Sequence, residues 1–203
     1  NMKPLYMIGC VNEIGERQKA DNVSGLLGES GFREYMNQLD TPLETGYLLR
    51  IGIDHFKEIN DNFGQEYGDF VLKKTAECIS GCTSEGQKVY KLVADEFLIL
   101  DVASDEAKDA DKLYDKVREA IDRFIETNEF KVMYTVSGGI VPFAALKGNQ
   151  CSEALKLTDF ALNEAKKLGR NRCYIFNGET YRKFLRKREI TQELREAVIN
   201  GFQ

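Results

Sequence analysis

The spacing of apolar residues along the chain alternates between a period of two and a period near 3.6, and each switch marks a predicted element. Met2–Val11 has strand character, and Asn12–Asp21 is a charged, helix-capable connector. A helix is predicted from about Ser30 to Leu39, with Phe32, Tyr35, Met36 and Leu39 on its apolar face and Thr41-Pro42 stopping it. Gly46–Ile53 is an almost continuous apolar strand, a pattern that implies burial on both faces. Asp54 is placed as the N-cap of a short helix, His55–Asn62, broken by Gly64. A longer helix, about Glu66 to Ser80, presents Phe70, Val71, Cys78 and Ile79, with Gly81 at its end.

Two short apolar strands, Lys88–Leu92 and Phe97–Val102, flank a tight turn that carries Asp95 and Glu96. Ser104–Glu126 is the clearest helix, lined by Ala110, Leu113, Val117, Ala120, Ile121 and Phe124. Lys131–Val141 returns as a strand, Ser152–Leu168 as a helix with Gly169 at its C-cap, and Cys173–Phe176 as an edge strand. Thr180–Ile199 closes the series as an amphipathic helix rich in Arg and Lys. The central hairpin forces part of the sheet to be antiparallel, which excludes a doubly wound parallel sheet. The order fits an α+β fold, a ferredoxin-like βαββαβ core with a mixed central sheet flanked by helices.

Charge and composition narrow the functional classes. A net charge of −5 over 203 residues argues against a broad nucleic-acid or anionic-membrane surface. No apolar run approaches the roughly 20 residues of a spanning helix, and no signal peptide is visible. The five cysteines, Cys10, Cys78, Cys82, Cys151 and Cys173, lack metal-type spacing and are expected to be structural thiols in a reducing cytoplasm. Asn1 before Met2 is expected to be a cloning remnant, and the chain an excised piece of a larger protein.

Two carboxylates at a hairpin tip are chemically suited to hold a hard cation and, through it, a phosphate. A solvated charged tip is the commoner use of such residues, so the hairpin needs company. It has company in four further blocks. Asp21-Asn22-Val23-Ser24-Gly25-Leu26 opens the series. Ile53-Asp54-His55-Phe56-Lys57-Glu58-Ile59-Asn60-Asp61 follows, continuing into Gly64, Gly68 and Asp69. Val93-Ala94-Asp95-Glu96-Phe97 is the hairpin block. Val136-Ser137-Gly138-Gly139-Ile140 and a stretch from Asp159-Phe160-Ala161-Leu162 to Ala165-Lys166-Lys167-Leu168-Gly169-Arg170-Asn171 complete it. In this order the blocks resemble the GGDEF domains, the diguanylate cyclases that join two GTP molecules into cyclic di-GMP on a nucleotidyl-cyclase, palm-like fold. The resemblance runs from Asp21 to Phe176.

That resemblance implies Mg²⁺ as cofactor, GTP as ligand, a second copy of the domain as partner and a cytoplasmic setting. It implies Asp95 and Glu96 as catalytic positions and Asn60 and Asp69 as guanine readers. It also implies Lys57, Lys91, Lys166 and Arg170 as nucleotide contacts. Several positions depart from the pattern. Gly52 stands where the family has a metal-binding aspartate, leaving Asp95 as the matching ligand; Asp54, on the same strand face by alternation, is the one candidate substitute, set against its ordinary role as a helix cap. Val93-Ala94 replaces two glycines; β-branched Val93 resists positive φ, so the turn must change path or its methyls must crowd the nucleotide. Lys91 stands where an arginine is common, and Ser84 and Gln87 where an Arg-x-x-Asp feedback site lies. His55 is expected to face solvent or to pack rather than to act in catalysis, and Arg182–Arg188 to be the solvated face of a helix.

The tail from Arg188 resembles the lead-in to an EAL phosphodiesterase domain, and the first residues the end of a PAS-type sensor. The implied division is sensor end and connector over 1–20, GGDEF-like domain over 21–178, and a helix toward an EAL domain over 179–203. The expected function is a degenerate GGDEF domain without cyclase activity, a regulatory GTP-sensing or interaction module beside sensor and EAL domains. The alternatives are an active cyclase using Asp54 and Asp95, and a structural spacer that binds no nucleotide.

Overall fold

The computed structural model describes residues 20–41, 43–104, 107–127, 132–148 and 150–201. The Met2–Val11 strand and nearly all of the connector after it lie outside the described residues. A six-stranded mixed sheet carries the fold. Its strands are β1 (Leu27–Gly28), β2 (Tyr47–Ile53), β3 (Gln87–Lys91), β4 (Glu96–Asp101), β5 (Val136–Pro142) and β6 (Cys173–Ile175). Their order is β1-β3-β4-β2-β5-β6. β4 and β5 flank β2 antiparallel, while β1 pairs parallel to β3 and β6 parallel to β5. The inner order β3-β4-β2-β5 is that of a βαββαβ ferredoxin-like core.

The helices are α1 (Glu29–Asn37), α2 (Phe56–Phe63), α3 (Gln65–Cys82), α4 (Ala107–Thr127), α5 (Cys151–Lys167) and α6 (Gly178–Asn200). Alternation along β2 divides them between the faces. Tyr47, Leu49, Ile51 and Ile53 bury against Val71 and Ile79 of α3 and Leu113, Val117 and Ile121 of α4. Leu48, with Leu98 and Leu100 of β4, packs on Phe32 and Met36 of α1 and Ala154 of α5. Two neighbouring glycines of β5 bring helices onto both faces. A Cβ at Gly138 would lie 2.8 Å from Tyr114 of α4. One at Gly139 would run into the backbone of Ala161 and Leu162 in α5, 2.7 Å from the Ala161 carbonyl carbon.

Most differences from the expected elements are end shifts of a few residues. Gly81 lies inside α3 rather than ending it, because Thr83 takes the C-cap. Residues 132–135 are outside the strand, which starts at Val136. Phe70, expected on the apolar face of α3, is 41 % exposed, its ring tilted beside that of Tyr67. The N-cap assigned to Asp54 is corrected: His55 takes that place in the left-handed region at φ 58°, and its side chain makes no capping bond. Asp54 is drawn instead toward the neighbouring strand.

Candidate functional site

The C-terminal end of β2 and the β3–β4 turn lie side by side, since Gly52 is directly paired with Glu96 on one side and Ser137 on the other. Glu96 is therefore the first residue of β4, and Asp95 alone of the two acids lies in the turn. The Asp95 carbonyl accepts from the Ile53 N–H at 3.3 Å, which ties the turn to β2. The turn closes with Leu92 N–H to Glu96 O at 2.9 Å and Glu96 N–H to Val93 O at 3.2 Å. Its one left-handed residue is Ala94, at φ 55°. Val93 avoids positive φ and points outward, 71 % exposed. The turn thus keeps a left-handed step, placed on the residue without β-branching.

Lys91 holds this turn from beneath. Its buried ammonium donates to the carbonyls of Leu92 at 2.9 Å, Ala94, and Glu96 at 3.4 Å, and it lies over the Phe97 ring. Burial lowers its pKa, partly opposed by Asp21, Asp95 and Glu96. Burial likewise raises Asp95, and the Glu96 charge adds to the rise while Lys166 and Lys91 oppose it.

Above Gly52 the space is taken by α5. A Cβ there would lie 3.1 Å from Lys166 Nζ and 3.2 Å from Leu162 Cδ2. The same ammonium stands 4.0 Å from Asp95 Oδ2 and 3.8 Å from Glu96 Oε1. The other oxygen of Glu96 is held by Arg50, whose Nε donates at 2.6 Å and whose Nη2 also contacts it. Arg50 is anchored in turn by the Leu155 carbonyl at 3.2 Å and Asp159 at 3.5 Å. Sequence reasoning missed Arg50. It is the one charged residue in the Gly46–Ile53 run, and a charge in a strand buried on both faces requires a partner.

Asp54 is buried and occupied elsewhere. Its carboxylate accepts from Thr135 Oγ1 at 2.7 Å, Ser137 Oγ at 2.8 Å and the Asn171 N–H at 3.2 Å. The last bond needs the sharp turn after α5, in which Gly169, Arg170 and Asn171 all have positive φ. Asp54 thereby joins β2, β5 and the end of α5.

Asn60 lies in α2 and Asp69 early in α3, on either side of the α2–α3 junction. The Asn60 carbonyl presses on Gly68, where a Cβ would collide with it, and Gly68 is the residue before Asp69. Asn60 Oδ1 is buried there without a hydrogen-bond partner. Lys57 and Arg170 are exposed. His55 is exposed too and pairs with Glu58 at 2.6 Å. A groove of about 550 Å³ opens beside α2, α4 and residues 132–135, but Asn60, Asp69, Asp95 and Lys166 do not line it. The positions of Ser84 and Gln87 bond to each other, and Gln87 reaches Asp101 at 2.6 Å. No group of three or more His, Cys, Asp or Glu side chains converges among the described residues.

Beyond the site, Phe160 of α5 gathers Tyr174, Phe176, Tyr181 and Phe184, so α5 is clasped to the first turns of α6. Residues 182–199 of α6 are exposed, the Arg182–Arg188 run among them. No helix among the described residues is long and apolar enough to cross a membrane.

Comparison with known proteins gives the chain a family and relates its fold to solved structures. The family described as Diguanylate cyclase, GGDEF domain, matches residues 19–172. The chain is 28 % identical over 190 residues to the cyclic di-GMP phosphodiesterase NbdA of Pseudomonas aeruginosa, covering 91 % of this chain and 24 % of that protein. It is 30 % identical over 161 residues to the diguanylate cyclase DgcZ of Escherichia coli, covering 77 % of this chain and 53 % of that one. It therefore spans about a quarter to a half of these relatives. The fold matches a solved GGDEF-only form of TpbB (YfiN) from Pseudomonas aeruginosa with a TM-score of 0.71 at 24 % identity, over 82 % of this chain and 99 % of that one. The chain belongs to the GGDEF domain family.

Proposed function

We propose that this chain is a GGDEF module without diguanylate cyclase activity, acting as a guanine-nucleotide-responsive regulatory unit in cytoplasmic cyclic di-GMP signalling. One observation carries the reading. The strand position that faces Glu96 is Gly52, which supplies no carboxylate, and Lys166 projects over it. Joining two GTP molecules needs positive charge fixed where the α-phosphate reacts. The residues present do not fit a divalent cation: Asp95 faces an ammonium, Glu96 is ion-paired and Asp54 is fully hydrogen-bonded. Asp54 is thus read as a structural joint rather than a substitute metal ligand.

Nucleotide binding has support of another kind. A buried acceptor with no partner is unfavourable, and Asn60 Oδ1 is such an acceptor. A guanine offers N–H donors to an amide oxygen and a carboxylate, the pair that Asn60 and Asp69 provide. Lys166, with Lys57 and Arg170 at the surface, is the phosphate contact of this reading; Lys91 serves the turn instead. Signal transfer runs through α5, which carries Lys166 near one end and Phe160 in the clasp on α6. In this reading residues 179–203 lead toward an EAL domain and 1–20 are a sensor end; similarity to a cyclic di-GMP phosphodiesterase across 91 % of the chain favours a phosphodiesterase as the neighbour.

Incubation with GTP and Mg²⁺ or Mn²⁺, followed by chromatography, is expected to give no cyclic di-GMP. Clear turnover overturns the reading. Calorimetric titration with GTP is expected to show binding that Asn60→Ala and Asp69→Ala each abolish; no binding to the wild-type protein reduces the domain to a spacer.

A further inference from the structure

Gly52 and Glu96 are directly opposite across an antiparallel pair, a position whose side chains are immediate neighbours. A carboxylate at 52 would meet that of Glu96, and two such groups suffice to grip a hard cation. Residue 50 lies on the same strand face as 52. From there the Arg50 guanidinium reaches Glu96 Oε2 by both Nε and Nη2. It is fixed from behind by the Leu155 carbonyl and Asp159, and only 12 % of its side chain is exposed. Lys166 stands 3.8 Å from the remaining oxygen. A planar guanidinium so anchored is not displaced by a rotamer change.

We infer that Arg50 is a built-in counter-cation that occupies Glu96 and by itself keeps a divalent ion out of the site, a second barrier independent of the missing carboxylate at 52. Arg50 acts through Glu96 and is a positioning residue. The consequence is specific: returning an aspartate to position 52 does not create a metal site while Arg50 is present. This rests on the reading of the site as one without a divalent metal.

The test is Mn²⁺ binding, followed by the electron paramagnetic resonance of the free ion, on the whole chain. Gly52→Asp is expected to bind Mn²⁺ no more tightly than the wild type, and so is Arg50→Met alone. The double variant Gly52→Asp/Arg50→Met is expected to bind at least about fivefold more tightly than Gly52→Asp, a gain of about 1 kcal/mol. Gly52→Asp/Arg50→Lys, which keeps a cation beside Glu96, is expected to behave as Gly52→Asp. A smaller gain for the double variant, or tight binding by Gly52→Asp alone, overturns the inference. Thermal melts check folding, and Arg50→Gln, which retains a hydrogen bond to Glu96, replaces Met with the same criterion where the Met variant does not melt cooperatively. Cyclic di-GMP formation by the wild type would sink the proposed function instead, so the two failures are separable.

Discussion

Asp54 offers the sharpest stability test, because its carboxylate serves three donors at once. Asp54→Ala leaves the hydroxyls of Thr135 and Ser137 and the N–H of Asn171 without their acceptor. Hydrogen bonds to a charged group contribute about 1.5–3 kcal/mol each. The two hydroxyl bonds are short and Ser137 is fully buried, so both count; the 3.2 Å bond from Asn171 counts at the low end. Rotation of the hydroxyls toward other acceptors recovers part of the loss. The expected net destabilisation is about 3–5 kcal/mol. For a chain of this size that corresponds to a fall in Tm of about 10–15 °C. Asp54→Asn keeps one acceptor oxygen and is expected to lose about half as much. Urea denaturation followed by circular dichroism, with and without Mg²⁺, measures both variants. A loss below about 1 kcal/mol refutes the assignment of Asp54 as a joint between β2, β5 and the end of α5. A loss that appears only in the presence of Mg²⁺ refutes it as well, since it would make Asp54 a metal ligand.

Three further outcomes are expected. Burial pushes Asp101 up, but hydrogen bonds from Gln87, Ala103 and Ser104 outweigh it and hold the group below the ordinary 3.8. Its contribution to stability is therefore present above that value and is lost as pH falls through the depressed folded pKa; urea midpoints across the acid range should fall less steeply in Asp101→Asn. Phe160→Ala removes the centre of the aromatic clasp, at about 3–5 kcal/mol, and hydrogen exchange should show the amides around Tyr181–Leu185 losing protection before those of β2 and β4. Gly139→Ala forces a methyl into the backbone of α5 and is expected to cost at least about 3 kcal/mol, read as a lower denaturation midpoint; an unchanged midpoint would show that α5 can move off the sheet.

Local pattern made the helices and the central hairpin legible. The long apolar period of α4 and the unbroken apolar run of β2 leave little choice of element, and hairpin between helices leaves little choice of fold class. The family blocks lie at the end of β2, in the β3–β4 turn, in β5 and along α5. Less legible were features that depend on residues remote in sequence. The two-residue β1 has no periodicity to detect and exists because β3 offers it an edge. Asp54 has the ordinary look of a helix cap, yet Thr135, Ser137 and Asn171 surround it, and they lie 81 to 117 positions away.

The sequence by itself determined that position 52 is a glycine with no carboxylate to offer and that Val93-Ala94 leads into Asp95, since both are matters of residue identity. Only the tertiary structure decided what fills the space. Lys166 comes over Gly52 because Gly139 lets α5 settle onto the sheet, and Glu96 meets Arg50 because antiparallel pairing brings residues 46 positions apart onto one face. Charge compensation depends on separation in space, and a chain folded into a sheet sets that separation by register rather than by order.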